Sequence, residues 1–402
     1  SMTSSQDNGT TSERPIDEFL IARGGPFYEL QKGLGLLNER ALRAAPRAIA
    51  LVLLAFGVPL VLTVIAGTAF GRPAEHPFVL ELGMWARFVF GVGLFVLSER
   101  EVEKRLHRSF KRLTAAPLLA PASMADAATA VVAAMKRRDY WVAELGCLVL
   151  AAGVSVMVYQ RFVEDGSVVW AVQTISDTTR LTPAGWWVVT FSNTLFWFLL
   201  FRLLWRLFVW ALLLRDFAAL EYRLVATHPD GHGGLAFLGE YPNAYAKVVF
   251  ATSLVPASAM VYELGGGGMT TSIYGMFLTL WLAGVLAIFV WPLLVFNKPL
   301  RALKRKTLNA SAPQATRHLR AAERDTLGAN VVAAEDAEAE SASDQPDSSK
   351  IYLAAQKLAT TLIRRSALLP VSAAALLPLV AAGATQFSVK EVFSVAKRLL
   401  LF

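Results

Sequence analysis

The chain has 402 residues, and 55% of them are hydrophobic, a share that is too high for an ordinary soluble domain of this length. Only 17% of the residues are charged, and they cluster between long apolar stretches. The formal net charge of +8 does not indicate a nucleic-acid partner, because basic residues that flank apolar stretches report topology and lipid headgroups. The single cysteine, Cys147, excludes a disulfide within the chain, and we interpret it as a packing residue because it lies in an apolar run.

Six apolar runs are long enough to cross a bilayer, which takes about 20 residues of helix. Aromatic residues stand at several of their ends, as is typical of positions at the headgroup level. The sequence therefore predicts an all-α integral membrane protein with six transmembrane helices. In chain order the runs are Ala48–Phe70, Phe78–Leu97, Trp141–Tyr159, Trp186–Leu214, Tyr245–Leu264 and Thr271–Phe296.

The lysines and arginines between these runs predict the orientation of the chain. The N-terminal segment and every second loop together carry 29 of them, whereas the other loops carry three, at Arg72, Arg161 and Arg180. Loops rich in Lys and Arg stay on the cytoplasmic side of a membrane. We therefore expect a multi-pass protein of the bacterial inner membrane with its N-terminus in the cytoplasm.

The remaining segments are expected on the cytoplasmic side. Residues 1–14 are polar and predict a disordered tail, and residues 15–47 predict an amphipathic helix with a break at Gly24-Gly25-Pro26. Residues 297–365 form a cytoplasmic segment in this interpretation. Within it, 330–349 is rich in Ala, Ser and acidic residues, which is typical of a disordered linker.

Two of the six predicted helices are expected to extend beyond the membrane. Charged, helix-permissive residues follow the second run at Glu99–Arg112 and the fourth run at Arg215–Thr227. Both stretches are interpreted as continuations of the preceding helix into the cytoplasm.

The C-terminal part, residues 366–402, leaves two alternatives. Ser366–Thr385 is apolar and contains Pro370 and Pro378, so it forms either a seventh span or a broken, re-entrant segment. The basic residues that follow favour the re-entrant alternative, because they favour a cytoplasmic position. The last stretch, Val389–Phe402, predicts an amphipathic helix.

Five ionisable residues within the runs are taken as candidates, namely Glu81, Arg87, Glu144, Arg202 and Arg206. Each is costly in lipid unless it is paired or hydrated, so all five are candidates for a pore or binding site. Glu144 also fits an interfacial salt bridge with the basic edge that precedes it. Arg202 and Arg206 share one helix face because they are four residues apart. Both snorkel to the surface if the fourth helix begins early, and both lie near the midplane if it begins late.

The block His228-Pro229-Asp230-Gly231-His232 follows the fourth run and is a second candidate site. Two imidazoles and a carboxylate suit Zn²⁺ or another divalent cation. The same residues also fit a helix stop, because Pro prevents continuation and Gly allows positive φ, and this alternative is favoured. The four glycines Gly265–Gly268 fit a short turn between two helices better than an anion cradle.

Three stretches of the chain resemble a family of uncharacterised bacterial multi-spanning membrane proteins. They are Ala22–Phe27 with Leu30-Gln31, Leu199–Arg215 with its two arginines and two tryptophans, and Thr227–Asp230 with Gly233-Gly234-Leu235. The resemblance covers most of the chain, except for residues 310–360, and is moderately specific in the His-Pro-Asp block. It implies a common fold and no particular chemistry.

The function expected from the sequence is transport, by an ion channel or small transporter that prefers anions, because arginine exceeds glutamate among these five candidates. One alternative is a membrane-embedded metalloenzyme that holds a divalent metal at His228, Asp230 and His232. The other alternative is a non-catalytic scaffold or sensor. No nucleophile or dinucleotide motif is present in the sequence, so a protein without enzymatic activity is favoured. The expected partners are the lipid bilayer, further copies of the same chain and a small ion or solute.

Overall fold

The structure is a computed structural model that describes residues 19–37, 43–72, 76–115, 117–176, 178–333, 341–344 and 346–401. Seven helices within these residues are long and apolar enough to cross a membrane. This confirms the predicted class, an all-α membrane protein. The predicted tail at 1–14 lies outside the described residues, and so do residues 334–340 and 345 of the predicted linker.

The helices of the described chain are numbered in sequence order. They are α1 (Pro26–Gly33), α2 (Ala44–Ile65), α3 (Leu82–Thr114), α4 (Met124–Arg138), α5 (Trp141–Asp165), α6 (Pro183–Ala218), α7 (Ala236–Gly265), α8 (Thr271–Leu327), α9 (Ser349–Lys357), α10 (Arg365–Gly383) and α11 (Val389–Leu401). The spanning helices are α2, α3, α5, α6, α7, α8 and α10. Short 3₁₀ helices occur at Phe78–Leu80, Pro121–Ser123 and Ala342–Asp344, and 3₁₀ turns also begin α7 (Ala236–Tyr245) and interrupt α8 (Trp291–Phe296).

A small β-hairpin connects α5 to α6, and the hydrophobicity pattern does not predict it. Its strands, β1 (Val172–Ile175) and β2 (Thr178–Leu181), pair antiparallel. Thr182 then begins α6: its Oγ accepts a hydrogen bond from the backbone N–H of Gly185 at 3.0 Å, which is an N-cap. The hairpin therefore sets the starting point of the fourth span, three residues before the predicted one.

The region expected to be one amphipathic helix at 15–47 is organised differently. Within its described residues, helix covers only α1 and the first residues of α2. Residues 19–25 are irregular, and Phe19 and Ile21 belong to the main hydrophobic core. Leu30 and Leu34, one turn apart on and just after α1, are exposed. The segment therefore packs into the bundle at its start and presents an apolar stripe further on.

The predicted extension of the second span is confirmed, because α3 runs to Thr114, whereas the predicted extension of the fourth span to Thr227 is wrong. α6 ends at Ala218 because the chain that follows pairs with the loop after α3. The backbone N–H of Ala120 donates to the carbonyl of Glu221 at 3.0 Å, and that of Arg223 donates to Leu118 at 2.8 Å. These hydrogen bonds hold an extended backbone that a helix does not allow.

The C-terminal segment is not broken at its prolines. α10 is one continuous helix of 19 residues that includes Pro370 and Pro378, and it is long and apolar enough to span. The preference for a broken, re-entrant segment is therefore corrected in favour of a seventh helix of spanning length. After α10 the chain turns back in α11. That helix packs antiparallel to α10, so that Nη2 of Arg365 lies 3.4 Å from the carbonyl oxygen of Leu400.

Three π-helical segments pack against one another inside the bundle: Leu53–Gly57 in α2, Trp85–Gly91 in α3 and Val188–Asn193 in α6. A π turn leaves backbone carbonyls without their usual helical donors, which is costly away from water. Side chains of α6 supply two of the missing donors. Ser192 Oγ donates to the carbonyl of Ala55 at 2.6 Å, and Trp187 Nε1 donates to that of Leu54 at 2.8 Å.

Substituting Ser192 with Ala is expected to destabilise the bundle by about 1 kcal/mol, the usual value of an interhelical hydrogen bond in a membrane protein. The matched control is Thr279→Ala, because among the described residues the hydroxyl of Thr279 bonds only the carbonyl of Gly275, in its own helix. The unfolding midpoint of the purified variants in denaturant measures the difference. Equal midpoints would contradict this role for Ser192.

Candidate functional site

Residues 19–37, called the N-terminal segment below, cover the bundle at the face where α3 and α6 end and α5 begins; this face is called the N-terminal face. Side chains of the bundle bind backbone carbonyls of the segment directly. His107 Nδ1 on α3 lies 3.0 Å from the carbonyl oxygen of Phe19, and Arg138 Nη1 on α4 donates to that of Leu20 at 2.5 Å. The segment is therefore attached by its main chain as well as by its apolar side chains.

Glu144 is the centre of the buried charged cluster under this segment. Its Oε1 lies 3.0 Å from Nε of Arg202 and 3.3 Å from Nη2 of Arg206. Its Oε2 accepts the backbone N–H of Phe27 at 2.8 Å. All three charged side chains are about 5% exposed or less. One carboxylate thus binds two arginines and also caps α1, whose first N–H groups have no helical acceptor.

Arg206 completes its contacts with carbonyls of the N-terminal segment. Its Nη1 donates to Ile21 at 3.1 Å and to Arg23 at 3.0 Å, and its Nη2 donates to Gly24 at 2.6 Å. Its Nε is buried without a hydrogen-bond partner among the described residues. Within that part of the chain, Glu144 is the one carboxylate within 4 Å of this guanidinium, and Arg202 shares it.

Two glycines allow this close approach. Gly24 and Gly25 both have φ of 86°, a region that residues with a Cβ rarely adopt. A Cβ on Gly25 would collide with the carboxylate of Glu144, and one on Gly24 would collide with Asp139. The predicted Gly24-Gly25-Pro26 break is therefore where the backbone of the N-terminal segment contacts the charged side chains of the bundle.

The cluster continues towards α2 and α3. Glu99 Oε2 accepts from Arg47 Nη1 at 2.7 Å, while its Oε1 lies 3.7 Å from Nη1 of Arg202. Arg47 Nε in turn donates to Oε1 of Gln31 on α1 at 2.7 Å. A chain of alternating charges thus connects four helices. At its end, Arg47 binds Gln31, which gives the N-terminal segment a second attachment to the bundle.

The depth of the cluster follows from the start of α6. Arg202 is 19 residues after Pro183, which is about 28 Å along a helix, close to the thickness of the hydrocarbon core. Both arginines therefore lie near the N-terminal edge of the membrane and not at its midplane. They do not reach water by snorkelling, because the N-terminal segment covers them and they are paired.

The other two ionisable candidates lie at the opposite end of the bundle. Arg87 is about 18 Å along α3 from Glu99 and belongs to a π segment, with its Nε buried and without a partner among the described residues. Glu81 precedes α3, and its Oε1 lies 3.5 Å from Nδ1 of His76. Burial raises the pKa of the Glu81 carboxyl, and the neighbouring His76 and Arg87 oppose that effect. The five candidates therefore form two separate groups.

The His-Pro-Asp block folds as a turn around Asp230. Its Oδ1 accepts the backbone N–H groups of His232 at 2.8 Å and Gly234 at 3.1 Å, and its Oδ2 accepts that of Ala236 at 3.1 Å. Nδ1 of His228 lies 2.9 Å from Oδ1. The His232 ring instead contacts the carbonyl oxygen of Asp230 at 2.7 Å. Among the described residues, no three His, Cys, Asp or Glu side chains are grouped to hold a metal ion.

Several members of the cluster are missing from the sequence-based candidates: Arg47, Glu99, Glu103, Gln31 and Gly25. Glu99 and Glu103 lie just outside the predicted second run, and for that reason they are not among the ionisable residues predicted within the runs. Their spacing of four residues on one helix face was an available signal. Arg23 pairs with Glu103 at 3.1 Å, a contact that sequence alone does not indicate.

Comparison of the chain with protein-family models, with curated proteins and with solved structures finds no match.

Replacing Glu144 with Gln is expected to lower the free energy of unfolding by about 3–5 kcal/mol, because it leaves the buried arginines without the carboxylate they share. Glu164→Gln on the same helix is the matched control, since Glu164 is exposed and should change stability by less than about 0.5 kcal/mol. Denaturant unfolding followed by tryptophan fluorescence measures both. Similar effects of the two substitutions would contradict the central position of Glu144.

Replacing Asp230 with Ala is expected to cost about 1–3 kcal/mol, because three backbone N–H groups lose their acceptor. Partial burial acts to raise the pKa of Asp230, but the hydrogen bonds from His232, Ala236, Gly234 and His228 outweigh it and lower the pKa. The stabilisation is therefore present above the ordinary carboxyl pKa and is lost as the pH falls through the lowered one.

A chelator distinguishes this turn from a metal site. If Asp230 only caps backbone groups, a metal chelator leaves the melting temperature of the wild-type protein unchanged, while Asp230→Ala lowers it. If the chelator lowers the melting temperature as much as the substitution does, the block holds a structural metal.

Proposed function

We propose that the protein transports small inorganic anions across the membrane, that Arg206 and Arg202 form the anion site at its cytoplasmic end, and that the N-terminal segment gates this site. The observation that carries the proposal is the sharing of one carboxylate by two buried arginines. The remaining donors of Arg206 are satisfied by uncharged backbone carbonyls of residues 21, 23 and 24.

The charge balance at the two arginines favours an anion as the ligand. A buried guanidinium is costly unless it is fully paired, and half a carboxylate with neutral carbonyls compensates it only in part. An anion at Nη1 and Nη2 would supply the missing negative charge and would accept the same hydrogen bonds, with bidentate geometry available. The carbonyls of the N-terminal segment are therefore interpreted as occupying the place of an anion in a closed state.

The contacts that hold the N-terminal segment on the bundle favour a gate. Polar contacts to buried or partly buried side chains anchor its backbone at residues 19, 20, 21, 23 and 24, and Gly24 and Gly25 allow the close approach. Such a set of contacts forms or breaks together, because loss of one leaves buried charge for the others to satisfy. Displacing the segment would open the arginine pair to the cytoplasm.

Substituting Gly25 with Ala is expected to favour the open state, because the added Cβ collides with the Glu144 carboxylate. A loss of about 1.4 kcal/mol from the closed state shifts the equilibrium roughly tenfold, and anion flux into proteoliposomes should rise by that factor. Gly35→Ala is the matched control: Gly35 also has positive φ, at 73°, but no atom of the described residues lies within 4 Å of its Cβ position.

A second substitution tests the anion site itself. Adding Arg206→Gln to Gly25→Ala should abolish the gained anion flux while cation flux stays at its background level. If neither the wild-type protein nor Gly25→Ala conducts anions at any voltage, pH or membrane tension, the transport proposal is wrong.

A further inference from the structure

A lipid-facing groove opens beside the charged cluster, between α5 and α6, with a volume of about 570 Å³. The cluster touches it only through Glu144, whose carboxylate is already engaged by two arginines and an amide. The other lining residues are almost all apolar, from Trp141, Leu145 and Leu148 on α5 to Phe191 and Phe198 on α6. The groove therefore has no free polar group to recognise a polar ligand along most of its length.

The position of the groove matches one leaflet of a bilayer. On α5 it extends from Trp141, the first residue of the helix, to Leu148, which is about 10 Å along the axis. On α6 it extends from Thr190 to Phe198, which is about 12 Å. Half of the hydrocarbon core is about 15 Å thick, so the groove extends from the N-terminal face towards the middle of the membrane.

Side chains around the groove face lipid. Trp141 is 60% exposed, and Leu145 and Leu148 are each 46% exposed. The π segment of α6 widens the helix at Thr190 and Phe191, and such segments frequently accompany ligand sites. An elongated, apolar, laterally open groove of this depth has the shape of a single acyl chain.

The headgroup end of the groove is basic and aromatic. Lys136 and Arg137 close α4 just before α5 begins, and Lys136 is exposed. Arg137 pairs with Asp216 at 2.9 Å and keeps about a third of its side chain exposed. Tyr140, 52% exposed, follows them in the chain and directly precedes Trp141 of the groove, and aromatic rings are typical of the headgroup level. Exposed positive charge at this level complements an anionic phosphate headgroup.

We infer that the groove binds one acyl chain of an anionic phospholipid from the leaflet at the N-terminal face, with its headgroup near Lys136 and Arg137. The lipid is also a structural partner of the N-terminal segment, because Pro26, Phe27 and Leu30 form one wall of the groove. A bound chain covers these residues and so holds the segment on the buried arginines. This last consequence rests on the proposed function, whereas lipid binding itself does not.

The test uses the full-length protein in vesicles of phosphatidylcholine and phosphatidylglycerol that contain a trace of phosphatidylglycerol with a photoreactive acyl chain. Mass spectrometry of the cross-linked peptides maps the contacts. Cross-links should concentrate at residues 141–148 and 190–198. An even distribution over the exposed apolar faces of all spans would overturn the inference.

A filling substitution and its control sharpen this result. Leu148→Trp places a larger side chain in the groove and should lower cross-linking there by about tenfold. Leu150→Trp is the control: Leu150 is also lipid-facing, at 60% exposed, but points about 160° away from Leu148 around the same helix. Equal cross-linking of the two variants at 190–198 would overturn the inference. If Leu148→Trp fails to fold, the map of the wild-type protein alone decides.

The headgroup is tested separately. With a photoreactive phosphatidylcholine in parallel, the wild-type protein should prefer phosphatidylglycerol, and Lys136→Glu should remove that preference while the exposed Lys350→Glu retains it. No preference in the wild-type protein would overturn the assignment of an anionic lipid. Cross-linking does not depend on transport. A protein that carries no anion flux can therefore still show the predicted cross-links, and a protein without these cross-links can still carry anion flux.

Discussion

The bond on which the rest of the site depends is the one between Glu144 and its two arginines. Charged side chains near the hydrocarbon core are tolerated only when each is paired, and here a single carboxylate serves two guanidiniums and one helix N-terminus. Removal of that carboxylate leaves Arg206 without a carboxylate within 4 Å among the described residues, and it leaves Arg202 with Glu99 alone, at 3.7 Å. The positions of α1, α5 and α6 are therefore coupled through one residue, and the N-terminal segment packs directly on the spanning helices.

The consequence for function lies in what the arginines bind. Arg202 and Arg206 were candidates for pore lining because they share a helix face in an apolar run. In the structure they lie at the N-terminal face of the bundle, paired with carboxylates and covered by the backbone of the N-terminal segment. An anion site is compatible with this arrangement only if the covering segment moves, which is why the proposed transport and the proposed gate form one account. The neighbouring groove adds lipid as the component that favours the covered state.

The sequence alone was sufficient for features set by hydrophobic length. Six spanning helices and the class of the protein follow from runs of about 20 apolar residues, and the extension of the second span follows from its charged, helix-permissive continuation. The sequence alone did not predict where helices end or continue when tertiary hydrogen bonds outweigh the local hydrophobic pattern. The fourth helix stops at Ala218 because its successor pairs with residues 118–120, and α10 stays continuous across two prolines. Neither interaction has a signature within a single segment.

The charged cluster was predictable in part for the same reason. Arg202, Arg206 and Glu144 are visible as ionisable residues in apolar runs, and their pairing across 58 and 62 positions is not. Glu99 is not among the predicted site residues because it lies just past the end of an apolar run. The backbone carbonyls of the N-terminal segment cannot be predicted as ligands, because every residue has one. The Gly24-Gly25-Pro26 break was visible, but it was interpreted as an interruption of a helix when it is the contact surface for buried charge.

The central claim is that Glu144 holds the N-terminal segment on the bundle through the amide of Phe27 and the two arginines. Amide hydrogen exchange of the protein in lipid bilayers tests it most directly. The account predicts that the Phe27 amide is strongly protected in the wild-type protein and exchanges rapidly in Glu144→Gln, while amides in the middle of α7 and α8 are equally protected in both. Rapid exchange of the Phe27 amide in the wild-type protein, at the rate of an unstructured peptide, would contradict the account.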